Sequence, residues 1–199
     1  MAYLTARHLE SILAARPAGT RVPRVFVETG TFRCQTTNLV QAYFPLVHTI
    51  ELSESLAAHA RSLCGAKKVV VHQGDSAKLL PVVLARFREP VVCYLDAHAF
   101  WRGAGGDEPA IARQNPMPLW DELRAVRYHP FADWVIVDDL HAFGRAPQPS
   151  ARGTPEADWQ DVTIEKICQT VGSERIVRQE VHGDQLCLWL APPPLEAAA

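Results

Sequence analysis

The chain has 199 residues, of which 48% are hydrophobic and 21% charged, and its formal net charge is −2. This composition is ordinary for one globular domain with a sizeable core, and the small net charge argues against a nucleic-acid partner. No apolar run approaches the ~18 residues of a membrane span and no signal peptide is visible, so we expect no membrane partner and a cytoplasmic location.

The first half of the chain predicts helices and strands in alternation. Leu9, Ile12 and Leu13 share one helical face, so a short helix is expected before Pro17. The next predicted elements are, in chain order, a strand at Val22–Glu28, a helix at Thr36–Phe44, a strand at Val47–Leu52, a helix capped by Ser53 and a strand at Lys68–His72.

The second half continues this alternation and ends differently. Its predicted elements are a helix that Asp75 or Ser76 caps and that runs to about Arg88, a strand at Val91–Asp96, an amphipathic helix marked by Leu119, Trp120, Leu123 and Val126, a strand at Trp134–Asp138 and a helix at Val162–Val171. Two last strands, Arg175–Val181 and Gln185–Leu190, flank a glycine-containing turn, which predicts an antiparallel hairpin.

Together these elements predict the α/β fold class. We expect a single doubly wound, Rossmann-like domain over residues 1–191, with a seven-stranded, mostly parallel sheet that ends in the C-terminal antiparallel hairpin. Residues 192–199 are expected to form a disordered tail.

Acidic residues stand at the ends of the first two predicted strands. The first strand ends in Glu28 before a turn at Gly30, and Glu51 ends the second strand 21 residues after that glycine. An acid about 20 residues beyond a glycine turn is the spacing that places a carboxylate on a ribose, so a nucleoside-bearing ligand is predicted. The alternative is that Glu28 caps the turn and Glu51 caps the helix at Ser53.

A second group of acids follows the fourth and fifth strands. Asp96 and the pair Asp138-Asp139 are expected at the same sheet edge, where oxygen-rich clusters suit cations such as Mg²⁺. The alternative is a helix cap together with an ion pair to an arginine. His98 and His141 each follow an aspartate by two residues, which makes them candidate general bases, metal ligands or plain hydrogen-bonding residues.

Five short segments resemble one known family. They are Glu28-Thr29-Gly30-Thr31, Thr49-Ile50-Glu51-Leu52-Ser53, Gly74-Asp75-Ser76, Tyr94-Leu95-Asp96-Ala97-His98 and Val135-Ile136-Val137-Asp138-Asp139. Over roughly residues 22–190 the chain resembles class I S-adenosylmethionine-dependent methyltransferases. Within that class it is similar to the metal-dependent small-molecule O-methyltransferases, which include the macrocin-type enzymes.

The resemblance implies a role for each segment. Glu28, Thr29 and Gly30 would lie under the methionine part of S-adenosyl-L-methionine, and Glu51 would hold its ribose hydroxyls. Its adenine would contact Asp75 and Ser76. The implied cofactor site is completed by Thr31, Leu52, Ser53, Gly74 and Asp96, and the implied metal ligands are Asp96, Asp138 and Asp139.

These roles predict methyl transfer from S-adenosyl-L-methionine to a hydroxyl of a small-molecule acceptor, assisted by Mg²⁺ or another divalent cation. Asp96, His98 and His141 are the candidate catalytic residues, and one of the two histidines would take the proton. Acceptor selection is assigned to the N-terminal helix and to residues 99–117 and 142–160. The sequence is compatible with a homodimer.

Three other functions stay open from the sequence. A nicotinamide-dependent oxidoreductase would use Glu51 on a ribose equally well. A metal-dependent hydrolase would use Asp96, His98, Asp138, Asp139 and His141. A non-catalytic domain that binds S-adenosylmethionine would keep the fold without an acceptor pocket.

Overall fold

The computed structural model describes residues 4–64, 68–98, 115–147 and 157–194. The helices in these ranges are α1 (Ala6–Ala14), α2 (Gln35–Val40), α3 (Glu54–Leu63), α4 (Ser76–Leu84), α5 (Leu119–Arg127) and α6 (Ile164–Val171). The strands are β1 (Val25–Thr29), β2 (Leu46–Glu51), β3 (Val69–Gln73), β4 (Val91–Leu95), β5 (Trp134–Val137), β6 (Ile176–His182) and β7 (Gln185–Leu190). Short 3₁₀ turns lie at Leu140–Ala142 and Ser173–Arg175.

All seven strands form one sheet in the order β3-β2-β1-β4-β5-β7-β6. The first five strands in that order pair in parallel, whereas β7 pairs antiparallel with both β5 and β6. This confirms the predicted α/β fold with its C-terminal hairpin. The strand order also brings the turn between β6 and β7 beside the carboxyl end of β5.

The helix caps settle one alternative that the sequence left open. Asp75, and not Ser76, is the N-cap of α4, because its side chain accepts a hydrogen bond from the backbone N–H of Ala77 at 3.0 Å. Ser53 caps α3 as predicted, with its hydroxyl oxygen 3.4 Å from the backbone nitrogen of Leu56. Both capped helices begin just after the carboxyl ends of neighbouring parallel strands, so the two caps lie at the same edge of the sheet.

Element boundaries differ from the prediction by a few residues. Helix α2 ends at Val40 instead of Phe44, because the chain ahead of Pro45 tightens into turns in which Ala42 and Tyr43 donate to carbonyls three residues earlier. Strand β1 begins at Val25, after Pro23, whose nitrogen cannot donate to a neighbouring strand. Helix α4 likewise ends at Leu84, four residues before the predicted end.

Apolar layers cover both faces of the sheet. One core packs the strands against α4, α5 and α6 through residues such as Leu80, Leu123 and Ile167. The other packs them against α1, α2 and α3 through residues such as Leu9 and Val40. With both faces covered, the carboxyl ends of the parallel strands are the place where polar residues can gather.

Arg175 attaches the final hairpin to helix α5. Its side chain is buried, and its guanidinium donates to the carbonyls of Val126, Arg127, His129, Phe131 and Ala191. A single planar cation thereby satisfies the carbonyls at and after the end of α5, where the helix dipole is negative.

Three regions named from the sequence fall partly outside the described residues. These are 99–114 of the first acceptor segment, 148–156 of the second and 195–199 of the tail. Within the described ranges, no helix is long and apolar enough to cross a bilayer.

Candidate functional site

The turn after β1 packs directly against the segment after β4. Gly30 has φ +82°, and its N–H donates to the carbonyl of Ile50 at 2.9 Å. A Cβ at this position would lie 2.5 Å from the carbonyl oxygen of Asp96, closer than two such atoms can approach. Only glycine fits both the backbone angle and the contact, so Gly30 is needed to close this corner of the edge.

Glu28 lies beneath that turn rather than at the surface. Its carboxylate is 1% exposed and accepts hydrogen bonds from the hydroxyls of Thr37 and Thr49, the latter at 2.6 Å. Thr49 also pairs with the Thr31 hydroxyl at 2.5 Å. Burial raises the pKa of Glu28 to about 7, against the opposing effect of the two hydroxyls. Glu28 thus joins β1, β2 and α2 at the base of the edge.

Glu51 holds two backbone segments at once. One carboxylate oxygen accepts from the N–H of Phe32 at 2.8 Å and the other from the N–H of Ser53 at 2.9 Å. Burial raises its pKa. Leu52 lies between Glu51 and the helix cap, so these predicted cofactor residues share one corner with the Gly30 turn. Each oxygen of Glu51 still has a lone pair that a ribose hydroxyl could use.

The segment after β3 adjoins the same corner. The N–H of Gly74 donates to the carbonyl of Glu51 at 2.8 Å, and Ser76 is buried. A cavity of about 560 Å³ begins beside Asp75, between α4 and α5. Its lining residues include Asp75, Lys78, Asn115, Asp121 and Tyr128. The structure therefore brings the predicted ribose and adenine residues into neighbouring positions.

Asp96, His98 and Asp139 form an acid–imidazole cluster at the ends of β4 and β5. Their candidate ligand atoms all lie within 4.8 Å of one another. His98 Nε2 is 3.3 Å from Asp139 Oδ2, and its Nδ1 is 3.8 Å from Asp96 Oδ1. Burial, followed by the negative charges of Asp138 and Asp139, raises the pKa of Asp96 well above its usual value. Burial lowers the pKa of His98 to about 4, so its imidazole is neutral near pH 7.

Both carboxylate oxygens of Asp138 have hydrogen-bond partners outside this cluster. Its two oxygens accept hydrogen bonds from the Tyr94 hydroxyl and, at 2.8 Å, from the Gln185 side-chain amide. The structure thus does not gather the three predicted aspartates into one set; His98 stands where Asp138 was expected. Asp139 has φ +56°, so the chain turns directly after Asp138 and the two consecutive side chains contact different partners.

His141 is held in place by Asp184, a residue of the hairpin turn that no predicted motif includes. Asp184, in the turn between β6 and β7, accepts from the His141 backbone N–H at 2.8 Å and lies 2.5 Å from its ring Nδ1. Asp139, His141 and Asp184 form a second group of candidate ligand atoms within 4.8 Å. The predicted antiparallel hairpin was the signal, since it places this turn at the carboxyl end of β5.

Aromatic side chains stand beside the cluster. Trp159 meets the His98 ring edge-on at 5.3 Å between centroids and stacks on Phe143 at 5.8 Å. Both residues are partly exposed. Sequence patterns do not reveal either residue, because neither lies in a motif or in a regular element.

Glu122 is a buried acidic residue that no sequence motif indicates. It lies on α5 and is 1% exposed, and neither of its carboxylate oxygens has a hydrogen-bond partner among the described residues. Burial raises its pKa to about 8. From sequence it reads as one polar position of an amphipathic helix, and only the packing of α5 on α4 shows that it faces inward.

The comparison with solved structures gives the class of the fold. An amino pentose methyltransferase from Micromonospora echinaspora, solved with S-adenosylmethionine bound, is 13% identical, with TM-score 0.54 over 94% of this chain and 89% of that one. An S-adenosylmethionine-dependent methyltransferase from Mesorhizobium loti is 12% identical, with TM-score 0.53 over 92% and 98% of the two chains. A glycopeptide N-methyltransferase, also in complex with S-adenosylmethionine, is 12% identical, with TM-score 0.52 over 94% and 93%.

No protein-family model and no curated protein sequence matches the chain. The fold is that of the class I S-adenosylmethionine-dependent methyltransferases, including their seven-stranded sheet with an antiparallel end. At this level of identity the likeness defines the fold, and function is argued from the site.

Proposed function

We propose that this protein is an S-adenosylmethionine-dependent methyltransferase that methylates a hydroxyl of a small molecule. The observation that carries the proposal is the shared corner of the Gly30 turn, Glu51 and Asp75, with the Asp96–His98–Asp139 cluster next to it. Similar folds solved with S-adenosylmethionine support the choice of cofactor over a dinucleotide.

In the proposed reaction the acceptor oxygen attacks the methyl carbon of the cofactor. The carbon–sulfur bond breaks, its electron pair stays on sulfur, and the hydroxyl proton must leave the oxygen. His98, neutral and between two carboxylates, is placed to take that proton, and His141 is the second candidate. Asp96 and Asp139 would orient the acceptor and stabilise the resulting imidazolium.

A divalent cation fits the donor set in its chemistry. Two carboxylates and an imidazole suit Mg²⁺ or Mn²⁺, and a cation would offset the repulsion from Asp138 and Asp139 that adds to the effect of burial on the pKa of Asp96. Asp96, His98 and Asp139 would hold it, in place of the predicted set with Asp138, and His141 would then be the candidate base, because the coordinating nitrogen of His98 cannot also accept a proton. When bound, it would lower the proton affinity of a coordinated hydroxyl.

Calorimetry with S-adenosylhomocysteine tests the cofactor. We expect one equivalent to bind and Glu51→Gln to weaken binding at least about tenfold, because a carboxylate makes the stronger bond to a ribose hydroxyl. Glu54→Gln, an exposed change on α3, is the matched control and should leave affinity unchanged. Binding of NAD with none of S-adenosylhomocysteine would refute the proposal in favour of an oxidoreductase.

Metal binding is tested separately with Mn²⁺ alone, by calorimetry and electron paramagnetic resonance. We expect binding to the wild-type protein and its loss in Asp139→Asn, with exposed Asp161→Asn as control. Equal Mn²⁺ binding by wild type and Asp139→Asn would remove this cluster as the metal site and leave the cofactor proposal standing.

A further inference from the structure

Glu122 is a buried carboxyl group that the proposed reaction does not use. It lies on α5 between Leu119 and Leu123, both in the core, and it forms no ion pair within the described ranges. An unpartnered buried carboxyl costs about 1–3 kcal/mol or more in folding free energy. Because a buried carboxyl without a partner is costly, we expect Glu122 to have a function.

The surroundings of Glu122 lead to the cofactor corner. The hydroxyls of Thr29, at the end of β1, and Ser76, at the start of α4, face this carboxyl and favour its charged form. Neither hydroxyl completes a hydrogen bond with it. Thr29 Oγ1 in turn lies 3.3 Å from the backbone nitrogen of Asp96, so Glu122 stands behind two segments that the proposed function assigns to the cofactor.

Several acidic groups lie around Glu122. Asp75 precedes α4, Asp96 follows β4, and Asp121 is its neighbour on α5; the Cys93 thiol on β4 also faces it. Burial is the largest cause of its pKa of about 8, so the group is protonated near pH 7. A protonated carboxyl can donate one hydrogen bond and accept another, which matches two hydroxyl neighbours.

We propose that Glu122 is a positioning residue of the cofactor site: its carboxyl hydrogen-bonds the Thr29 and Ser76 hydroxyls when the cofactor's adenosine is bound, and so holds the start of α4, beside the purine, against the end of β1. The inference rests on the proposed function, since it assumes that S-adenosylmethionine binds at this corner. It adds a residue from α5 to a site that is otherwise built from strand ends.

Two variants separate positioning from a purely structural role. Glu122→Leu removes both hydrogen-bonding atoms, and Glu122→Gln keeps a donor and an acceptor. Calorimetry at pH 7 measures the affinity for S-adenosylhomocysteine and for 5′-methylthioadenosine, which lacks the amino-acid part. We expect Glu122→Leu to lose about tenfold for both ligands by the same factor, and Glu122→Gln to stay within about threefold of wild type.

Thermal unfolding of the ligand-free variants completes the test. A structural role alone predicts that Glu122→Leu changes the melting temperature and leaves both affinities unchanged, and that result overturns the inference. If Glu122→Leu loses affinity for the two ligands by different factors, the inference is overturned as well, because Glu122 would then act on the amino-acid part of the cofactor and not on the adenosine. Absence of wild-type binding to S-adenosylhomocysteine instead refutes the proposed function.

The pH profile gives an independent readout if Glu122→Leu does not fold. Wild-type affinity for S-adenosylhomocysteine should fall above about pH 8, as Glu122 loses its proton beside Asp75 and Asp96. Glu122→Gln should lack that fall. Glu28 also titrates, at about pH 7, but both proteins retain it, so the difference between the two profiles isolates Glu122. Identical profiles contradict the inference.

Discussion

Glu28 shows how a single side chain can belong to the site and to the fold together. The sequence places it correctly at the end of β1 and beside Gly30. The sequence could not identify its partners, because Thr37 reaches it only through the packing of α2, and Thr49 only through the register that pairs Glu28 with Thr49. Its carboxyl group links β1 to β2 and α2 beneath the Gly30 turn.

The raised pKa of Glu28 has a measurable consequence for stability. Between about pH 4.5 and 7 the folded protein keeps a proton on Glu28 that the unfolded chain loses, so the contribution of Glu28 to the free energy of unfolding should fall as pH rises through this window. The shift corresponds to about 3 kcal/mol, and the effect should be complete above pH 7. Urea unfolding at pH 5, 6 and 7 measures it.

Glu28→Gln should unfold with a weaker pH dependence over the same range, because the amide does not titrate. Exposed Glu54→Gln serves as the control and should follow the wild-type curve. The slope that Glu28→Gln retains includes Glu122, which titrates with the same sign. A variant curve parallel to that of wild type would mean that Glu28 is ionised in the fold.

At the scale of elements, the contact between the β1 turn and the segment after β4 fixes the geometry of the edge. Gly30→Ala should destabilise the protein by more than the ~1 kcal/mol of a positive-φ substitution, because its Cβ would meet the carbonyl of Asp96. Gly19 offers a matched control: its φ is +80°, and a Cβ there would meet open space. Denaturant unfolding of both alanine variants separates steric overlap from backbone strain; equal losses would rule out the overlap.

The clamp between Asp184 and the 3₁₀ turn Leu140–Ala142 is a second joint between elements. Asp184→Ala removes the two hydrogen bonds to His141, and the N–H of His141 should then exchange with solvent faster by about tenfold or more. Hydrogen exchange read by mass spectrometry over residues 139–145 measures this change. Asp161→Ala, on the exposed side of the chain before α6, should leave the exchange of that segment as it is.

At the scale of the whole molecule, periodicity and strand-end acids were enough to predict the sheet, its terminal hairpin and the corner that holds Gly30, Glu51 and Asp75. Periodicity and strand-end acids do not predict the direction in which a side chain points. Sequence patterns therefore do not reveal that Asp138 contacts Tyr94 and Gln185, or that Glu122 is buried on the inner side of α5. Asp184 and Trp159 reach the cluster only through tertiary packing.

The stability of the assembled domain should depend heavily on Arg175. Arg175→Lys keeps the charge but cannot reach five carbonyls with one planar group, so we expect a loss of about 3 kcal/mol or more and a melting temperature lower by roughly 6–12 °C. Arg178→Lys, on the exposed strand β6, is the comparison and should change the melting temperature by less than about 2 °C. A similar small change in both would show that the α5 carbonyls find other partners.

Asp138 and Asp139 are consecutive acids that serve different parts of the molecule. Asp138 links β4, β5 and β7 through Tyr94 and Gln185, whereas Asp139 faces His98 and His141. Because the two residues make separate contacts, a substitution of Asp139 leaves the hydrogen bonds of Asp138 in place. Changes at position 139 should therefore alter the contacts to His98 and His141, while Asp138 keeps its hydrogen bonds between β4, β5 and β7.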